Sequence, residues 1–162
     1  MSSASLPLPN HDHGACISNA LARAEACCRT QGLRLTATRR RVLELIWASH
    51  RPSKAYDLLE AINRERGNAA PPTVYRALDF LLTAGLVHKI ESLNAFIGCS
   101  DTHAHTQPKF LICHDCQRVA EISSPGIDSA IEHAAERIGF ATDEETIEIS
   151  GVCKQCATQS RP

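Results

Sequence analysis

Two short cysteine pairs constrain the fold of this 162-residue chain more than any other feature: Cys113-x-x-Cys116 and Cys153-x-x-Cys156. Each pair presents two thiolates about one turn apart, a spacing that suits a tetrahedral zinc ion. Four thiolates fill the coordination shell and leave no position for water or substrate, so the predicted site is structural. The 36 residues between the pairs must fold back so that the pairs can meet.

A redox dithiol and a disulfide are the alternatives for these pairs. The N-terminus has neither a basic start nor an apolar segment of the kind that secretory signals carry. We therefore expect a reducing, cytoplasmic compartment, which disfavours disulfides. A thioredoxin-type motif lies after a strand and at the start of a helix, and we predict neither pair to lie there. The sequence contains no run of about 18 apolar residues, so no membrane-spanning helix is predicted.

The C-terminal segment, residues 108–162, is predicted to be a small α/β domain. KFLIC and RVAEI flank the first cysteine pair as strands, an amphipathic helix follows Pro125-Gly126, and the alternating strand TIEISGVC leads into the second pair. A unit of about 50 residues buries too little apolar surface for a sizeable core. We therefore expect zinc, a partner chain, or both to stabilise it.

The N-terminal segment has the element order of a winged helix-turn-helix over residues 15–99. Residues 1–14 are rich in Ser, Pro and His and are predicted to be a disordered tail. The predicted elements are a helix over 15–32, a helix capped by Thr36, a helix opening at Pro52-Ser53, the helix PPTVYRALDFLLTAG, and the strands LVHKIE and AFIGC. Residues 100–107 are predicted to be a hinge, and the whole chain is predicted to be α+β.

The helix PPTVYRALDFLLTAG has the properties of a DNA-recognition helix. Its apolar residues repeat at helical spacing and form a core stripe: Val74, Ala77, Leu78, Leu81 and Leu82. Thr73 and Arg76 then face outward and Tyr75 flanks them, near the N-terminal end that enters the major groove in such motifs. Arginine can pair with guanine through two hydrogen bonds. Any amphipathic helix shows such a stripe, so the pattern alone leaves a plain core helix open.

The charge is divided unequally along the chain. From Met1 to Leu93 there are 12 Lys/Arg and 8 Asp/Glu residues, a net charge of +4, and the remainder carries 5 and 10, a net charge of −5. A basic front half favours a polyanionic partner such as DNA. Arg39, Arg40 and Arg41 crowd the first turns of a helix, where its dipole disfavours cations. Either an anion lies nearby or these arginines form a solvated charged face.

Further metal-ligand residue types surround the predicted hinge: His88, Cys99, His103, His105 and Glu121. A single inward histidine is more often a core residue than a ligand, and a single cysteine is more often a small buried apolar residue. Their convergence from both halves of the chain favours a second metal site. A mixed set of sulfur, nitrogen and oxygen ligands suits zinc better than magnesium or calcium.

With these metal-ligand residues and the predicted recognition helix, the chain resembles the ferric uptake regulator family of metal-responsive repressors, and most closely its zinc-uptake-regulator branch. The resemblance covers about residues 15–156. The segments that carry it are LTATRRRVLELI, AYDLL, PPTVYRALDFLLTAGLVHKIES and the two CxxC pairs.

The resemblance implies a homodimer with an N-terminal winged helix, a hinge and a C-terminal α/β dimerisation domain. It implies about two zinc ions per chain. The implied structural ligands are Cys113, Cys116, Cys153 and Cys156, and the implied regulatory ligands are His88, Cys99, His105 and Glu121, with His103 as a substitute for His105. The implied DNA contacts are Tyr56 and Arg76, to which the helix pattern adds Thr73, Tyr75 and Arg39.

The implied function is a zinc-responsive repressor that binds an AT-rich palindromic operator in double-stranded DNA and turns off zinc-uptake genes. An iron- or peroxide-responsive regulator of the same family is an alternative, although Thr-Gln-Pro-Lys before the first CxxC pair lacks that branch's dense His/Asp run. A zinc-storage or zinc-chaperone protein is an alternative of another class. We expect no enzyme activity and no small-molecule substrate, because the sequence shows no open metal position and no catalytic constellation. We expect no membrane association, because no apolar run is long enough to span a bilayer.

Overall fold

The computed structural model describes residues 13–49, 51–67, 69–100, 108–143 and 145–159. The described residues form two compact units, which are residues 13–100 and residues 108–159. Residues 1–12 of the predicted tail (residues 1–14) and residues 101–107 of the predicted hinge, which include His103 and His105, lie outside the described residues. His13 and Gly14, which were also assigned to the tail, are the first residues of a helix. Along the described parts, no helix combines the length and the apolar character that crossing a membrane requires.

The first unit consists of four helices and a two-stranded hairpin. The helices are α1 (His13–Thr30), α2 (Ala37–Trp47), α3 (Ala55–Arg66) and α4 (Pro71–Thr83). Their buried faces form one cluster, to which α2 contributes Val42, Leu43 and Ile46 and α4 contributes the predicted stripe. Val74, Ala77, Leu78 and Leu81 of this stripe are at most 2% exposed, whereas Leu82 is half-buried. The core of the unit therefore holds α2 and α4 against each other.

The N-terminus of α2 confirms the predicted cap. The Thr36 side chain accepts a hydrogen bond from the backbone N–H of Arg39, which satisfies one of the free donors of the first turn. Carboxylates offset the arginines that follow. Arg40 pairs with Glu25 and Glu44, and Arg41 pairs with Glu44 and Glu65. The solvated charged face is thus the better description of Arg40 and Arg41.

The hairpin follows α4 directly. Strands β1 (Val87–Ile90) and β2 (Ala95–Gly98) pair antiparallel, and a short 3₁₀ turn over Glu91–Leu93 joins them. Ser53 exchanges two backbone hydrogen bonds of 2.8 Å with Phe96 of β2. Because this bridge holds Ser53 extended, α3 begins at Ala55 and not at the predicted Pro52-Ser53. Four helices and a bridged hairpin make this unit a winged helix-turn-helix.

The second unit has a three-stranded sheet in the order β4-β3-β5. Strands β3 (Lys109–Cys113) and β4 (Val119–Ile122) pair antiparallel, and β5 (Ile147–Gly151) pairs parallel with β3 after the helix α5 (Pro125–Glu136). These elements match the predicted β-β-α-β order. A short helix α6 (Lys154–Gln159) follows and was not predicted. The whole chain is α+β, as expected.

An ammonium group is buried in this second unit. Lys109 begins the central strand β3 and is 1% exposed. Its Nζ donates to Asp128 in the first turn of α5 and lies 3.9 Å from the Glu145 carboxylate. A buried charge costs free energy unless it is paired, so these two carboxylates are what makes the burial of Lys109 tolerable.

Candidate metal centres and nucleic-acid interface

The parallel pairing of β3 with β5 brings the two cysteine pairs together. Carboxyl ends of parallel strands meet at the same edge of a sheet, and Cys113 at the end of β3 lies in register with Gly151 at the end of β5. The backbone N–H of Cys153 points at the Cys113 sulfur, 3.3 Å away. On the other side, the turn after β3 returns Cys116 to the same edge, and Gln117 adopts a positive φ of 61° within it.

The four sulfur atoms fit a zinc ion. The Sγ atoms of Cys113, Cys116, Cys153 and Cys156 all lie within 4.8 Å of one another, and those of Cys116 and Cys153 are 3.9 Å apart. A tetrahedral ion with Zn–S bonds of about 2.3 Å requires sulfurs about 3.8 Å apart. The cluster is therefore already close to the size of a four-thiolate zinc shell.

Thiol acidity differs across the cluster. Burial raises the pKa of Cys113, but the backbone N–H groups of Cys116 and Cys153 outweigh it and lower that pKa to about 6. A hydrogen bond with Cys153 raises the pKa of Cys156 to about 12. Neighbouring thiols cannot all ionise without a cation among them. A bound Zn²⁺ supplies that charge, so zinc binding and proton release are coupled at this edge.

The surroundings of the second pair correct one argument from the sequence. Cys153 follows strand β5 and directly precedes α6, which contains Cys156. This is the strand-to-helix position that we predicted neither pair to occupy, because α6 was not expected. What favours zinc over a redox dithiol is the convergence of all four sulfurs, which a single dithiol does not require.

Arg118 is a partner of this cluster that the sequence analysis did not identify. Its Nε lies 3.2 Å from the Cys116 sulfur, and one terminal nitrogen lies 3.7 Å from the Cys153 sulfur. The same nitrogen donates to the Gln155 side chain at 2.6 Å. Four thiolates around Zn²⁺ carry a net charge of −2, and the guanidinium offsets part of it. It also lowers the pKa of Cys116 against the opposing effect of burial.

Replacing Arg118 with alanine is expected to weaken zinc retention at the four-cysteine site about tenfold to a hundredfold, the usual effect of removing a hydrogen-bond partner of metal ligands. Competition with a chromophoric chelator measures this. Arg137→Ala is the matched control, because Arg137 is exposed at the end of α5. Equal zinc release from both variants would contradict the role of Arg118.

Two of the predicted regulatory ligands are neighbours within the first unit. His88 lies half-buried on β1 opposite Ile97, and Cys99 follows β2 and is 5% exposed. The backbone N–H of Cys99 donates to the Leu86 carbonyl at 3.0 Å. Ligand atoms of the two side chains lie within 4.8 Å of each other. One imidazole and one thiol at this separation can bind the same zinc ion.

The remaining predicted regulatory ligands are Glu121, His105 and its substitute His103. Glu121 lies on β4 of the second unit and is half-buried, opposite Phe110 of β3. His105 and its substitute His103 lie outside the described residues. The complete regulatory ligand set therefore stays a prediction.

The predicted DNA contacts are exposed on two helices of the first unit. Tyr56 in the first turn of α3 is 71% exposed, and Tyr75 in the first half of α4 is 54% exposed. Thr73 and Arg76 are exposed as well, whereas Val74 between them is buried. The first turns of α4 thus expose hydroxyl and guanidinium groups to solvent, while the opposite face of the helix is packed in the core.

Arg39 differs from the other predicted DNA contacts. Its guanidinium lies 3.6 Å from the centroid of the Phe80 ring, and Nη1 donates to the Arg34 carbonyl at 2.7 Å. The side chain is half-buried. These contacts attach the start of α2 to α4, so a DNA contact by Arg39 would require it to extend from this position.

Comparison with known proteins gives a consistent result. Residues 30–150 match the model of the Ferric uptake regulator family. The chain is 41% identical over 138 residues to the "Zinc uptake regulation protein" of Escherichia coli (strain K12), which spans 84% of this chain and 80% of that protein.

Two solved structures resemble the chain closely. A zinc uptake regulator complexed with zinc and DNA is 38% identical, with a TM-score of 0.83 over 88% of this chain and 96% of that one. The crystal structure of holo XcZur is 42% identical, with a TM-score of 0.79 over 86% of this chain and 98% of that one.

Proposed function

Because this chain belongs to the ferric uptake regulator family, we propose that it is a zinc-responsive transcriptional repressor, which binds operator DNA as a zinc-loaded dimer and represses zinc-uptake genes. It is a regulator and not an enzyme. One observation carries the proposal: the chain holds two separate groups of zinc-type ligands, the four-cysteine cluster and the His88–Cys99 pair. Since its DNA partner is chromosomal, it acts in the cytoplasm.

The two groups of ligands have different tasks. Cys113, Cys116, Cys153 and Cys156 hold a permanent zinc ion that stabilises the second unit, because a closed shell of four thiolates exchanges metal with difficulty. His88, Cys99, His105 and Glu121 hold the regulatory zinc, with His103 as a substitute for His105. Zinc at the regulatory site favours the DNA-binding state only by its higher affinity for that state.

DNA recognition is assigned to the exposed residues of α3 and α4. The N-terminal turns of α4 enter the major groove, where Arg76 pairs with a base edge and Thr73 and Tyr75 contact the backbone or bases. Tyr56 contributes from α3, and Arg39 binds phosphate at the start of α2. A two-fold symmetric dimer presents two copies of α4, so the operator is palindromic, and we expect it to be AT-rich.

Apolar side chains exposed on the second unit support dimerisation. Leu111 of β3 and Ile149 of β5 are 38% and 46% exposed on adjacent strands, and Val152 just beyond β5 is 46% exposed. Ile138 and Phe140, which follow α5, are 80% and 63% exposed. Exposed apolar residues in such number on so small a unit mark an interface. A second copy of the chain is the occupant that the proposed dimer requires.

The competing functions predict different behaviour. A zinc-storage or zinc-chaperone protein needs neither a winged helix nor an exposed Thr73, Tyr75 and Arg76 on its fourth helix. An iron- or peroxide-responsive regulator would respond to ferrous iron at lower concentrations than to zinc. The 41% identity to a zinc uptake regulation protein favours a zinc-responsive regulator over both.

A gel shift with an AT-rich palindromic duplex, at modest fixed salt, tests the function because DNA affinity depends steeply on salt. The wild-type protein is expected to bind with zinc and to release the duplex when a mild chelator removes the exchangeable zinc. Cys99→Ala is expected to remain folded, keep one zinc per chain and lose the zinc response. Zinc binding without any shift of the duplex would favour a storage protein. A shift of the duplex with ferrous iron but not with zinc would favour an iron regulator. A Cys99→Ala protein that fails to fold would make Cys99 structural.

Replacing Arg76 with alanine is expected to weaken operator binding by about 1–3 kcal/mol with some loss of base discrimination, the usual contribution of a bidentate arginine–guanine pair. Zinc-saturated protein is titrated against the operator and against a duplex with one base pair changed. Arg29→Ala is the control, since Arg29 is exposed in the last turn of α1. Unchanged operator affinity of the Arg76 variant would mean that α4 is not the recognition helix.

A further inference from the structure

The backbone just before Cys99 lies directly against a tryptophan ring. Trp47 ends α2, and its indole faces Gly98, the last residue of β2. A Cβ atom at Gly98 would lie 2.2 Å from Cε2 and 2.3 Å from Nε1 of that ring. No side chain fits at residue 98, because real Cβ contacts are never this short. The ring is therefore in immediate contact with the residue next to a proposed zinc ligand.

An arginine from α1 contacts both this tryptophan and the backbone just after Cys99. The Arg23 guanidinium lies 5.4 Å from the centroid of the Trp47 ring, within the range of a cation–π interaction. It also donates a hydrogen bond to the Ser100 carbonyl. The Cys99 N–H donates to the Leu86 carbonyl. Gly98, Cys99 and Ser100 are therefore each held by a different part of the first unit.

We propose that Trp47 and Arg23 are positioning residues for the Cys99 sulfur, and that they transmit zinc occupancy at Cys99 to α1 and α2. The inference depends on the proposed function, in which Cys99 binds the regulatory zinc. Ligands that are held in place before the metal arrives bind it more tightly, because less order is lost on binding. The contacts of Trp47 with Gly98 and of Arg23 with Ser100 would supply that order to the backbone on both sides of Cys99 in the sequence.

The contact of Trp47 with Gly98 can carry a signal because it joins rigid parts. Movement of Cys99 on zinc binding would shift Gly98. Because Gly98 has no side chain, no flexible group lies between its backbone and the indole to absorb that shift. Trp47 belongs to α2, whose Leu43 and Ile46 share one core cluster with Val74 and Leu78 of α4. Displacement of the indole is thus transmitted through packed side chains to the helix assigned to DNA recognition.

Tryptophan fluorescence tests the transmission, since Trp47 is the only tryptophan of the chain. Protein that holds one zinc per chain is titrated with further zinc. Emission is expected to change and to saturate at the second equivalent, and Cys99→Ser is expected to show no change. If the second zinc binds and the emission stays constant, the transmission is overturned. If the wild-type protein takes up only one zinc, the regulatory site itself fails, which is a separate result.

Substitution of Arg23 tests the positioning. Arg23→Met removes the hydrogen bond to Ser100 and keeps the stem, and it is expected to weaken binding of the second zinc about tenfold. The first zinc and the melting temperature are expected to stay unchanged, which separates positioning from general destabilisation. Arg23→Lys, which keeps a charged donor, is expected to restore most of the affinity. Arg29→Met on the same helix is the control.

If Arg23→Met binds the second zinc as tightly as the wild-type protein does, the positioning role of Arg23 is overturned. Trp47→Phe provides an independent variant in case Arg23→Met folds poorly. The smaller ring leaves a gap at Gly98, so its second-zinc affinity is expected to fall as well, while its first zinc is retained. Wild-type affinity in Trp47→Phe would likewise count against the proposal.

Discussion

Replacing Cys113 with serine is expected to unfold the second unit while the helices of the first unit remain folded. Structural zinc in small sites contributes on the order of 10–16 kcal/mol to folding, more than a unit of this size gains from its core. Cys113 is the most constrained of the four ligands, since it is 3% exposed and its sulfur receives the Cys153 N–H. Loss of this ligand therefore removes the metal that joins the end of β3 to the segment after β5.

Elemental analysis, amide hydrogen exchange and size-exclusion chromatography check this expectation together. Zinc content should fall by one per chain, exchange should accelerate over residues 108–159 and not over 13–100, and the dimer should dissociate. Cys16→Ser is the control, because Cys16 is half-buried on α1 in the other unit. A Cys113→Ser protein that keeps its zinc and its protection against exchange would show that the four sulfurs are not a structural zinc site.

Lys109→Met is expected to destabilise the second unit by about 3–5 kcal/mol, the usual cost of removing one partner of a buried ion pair. Asp128 and Glu145 lose the ammonium that neutralises them. Denaturant unfolding of the zinc-saturated protein measures the change. Lys89→Met is the control, because Lys89 forms an exposed pair with Glu91 and such pairs contribute about 0–1 kcal/mol.

A second variant separates the charge from the packing. In Lys109→Met with Asp128→Leu, apolar groups replace both members of the Lys109–Asp128 pair, and part of the lost stability is expected to return, because an apolar pair of similar volume often replaces an ion pair at little cost. If the double variant is as unstable as Lys109→Met, the contribution of Lys109 comes from its shape and not from its ion pairs.

The sequence predicted features that depend on local pattern. Helical spacing indicated the buried stripe of α4, Thr36 indicated the start of α2, and alternation indicated the strand that leads into the second cysteine pair. In each case the determinant lies within a few residues along the chain. The four-cysteine cluster was predictable for a different reason, since CxxC spacing carries the coordination geometry with it.

Features that depend on distant residues were not predicted. Ser53 pairs with Phe96, so a bridge to the hairpin delays the start of α3. Lys109 was assigned only to a strand, because its carboxylate partners come from α5 and from the segment before β5. Arg118 acts on the second cysteine pair across the sheet edge, and the Trp47–Gly98 contact joins α2 to β2. No local pattern contains such information.

The parallel pairing of β3 with β5 has a consequence for the order in which this protein matures. Cys113 and Cys153 become neighbours only after the chain has completed α5 and laid β5 alongside β3. Such a contact between distant residues forms late, because loop closure must precede it. A partial chain during synthesis therefore cannot complete the four-thiolate shell, as it can in a site built from one hairpin. Loading of this zinc marks the completion of the second unit.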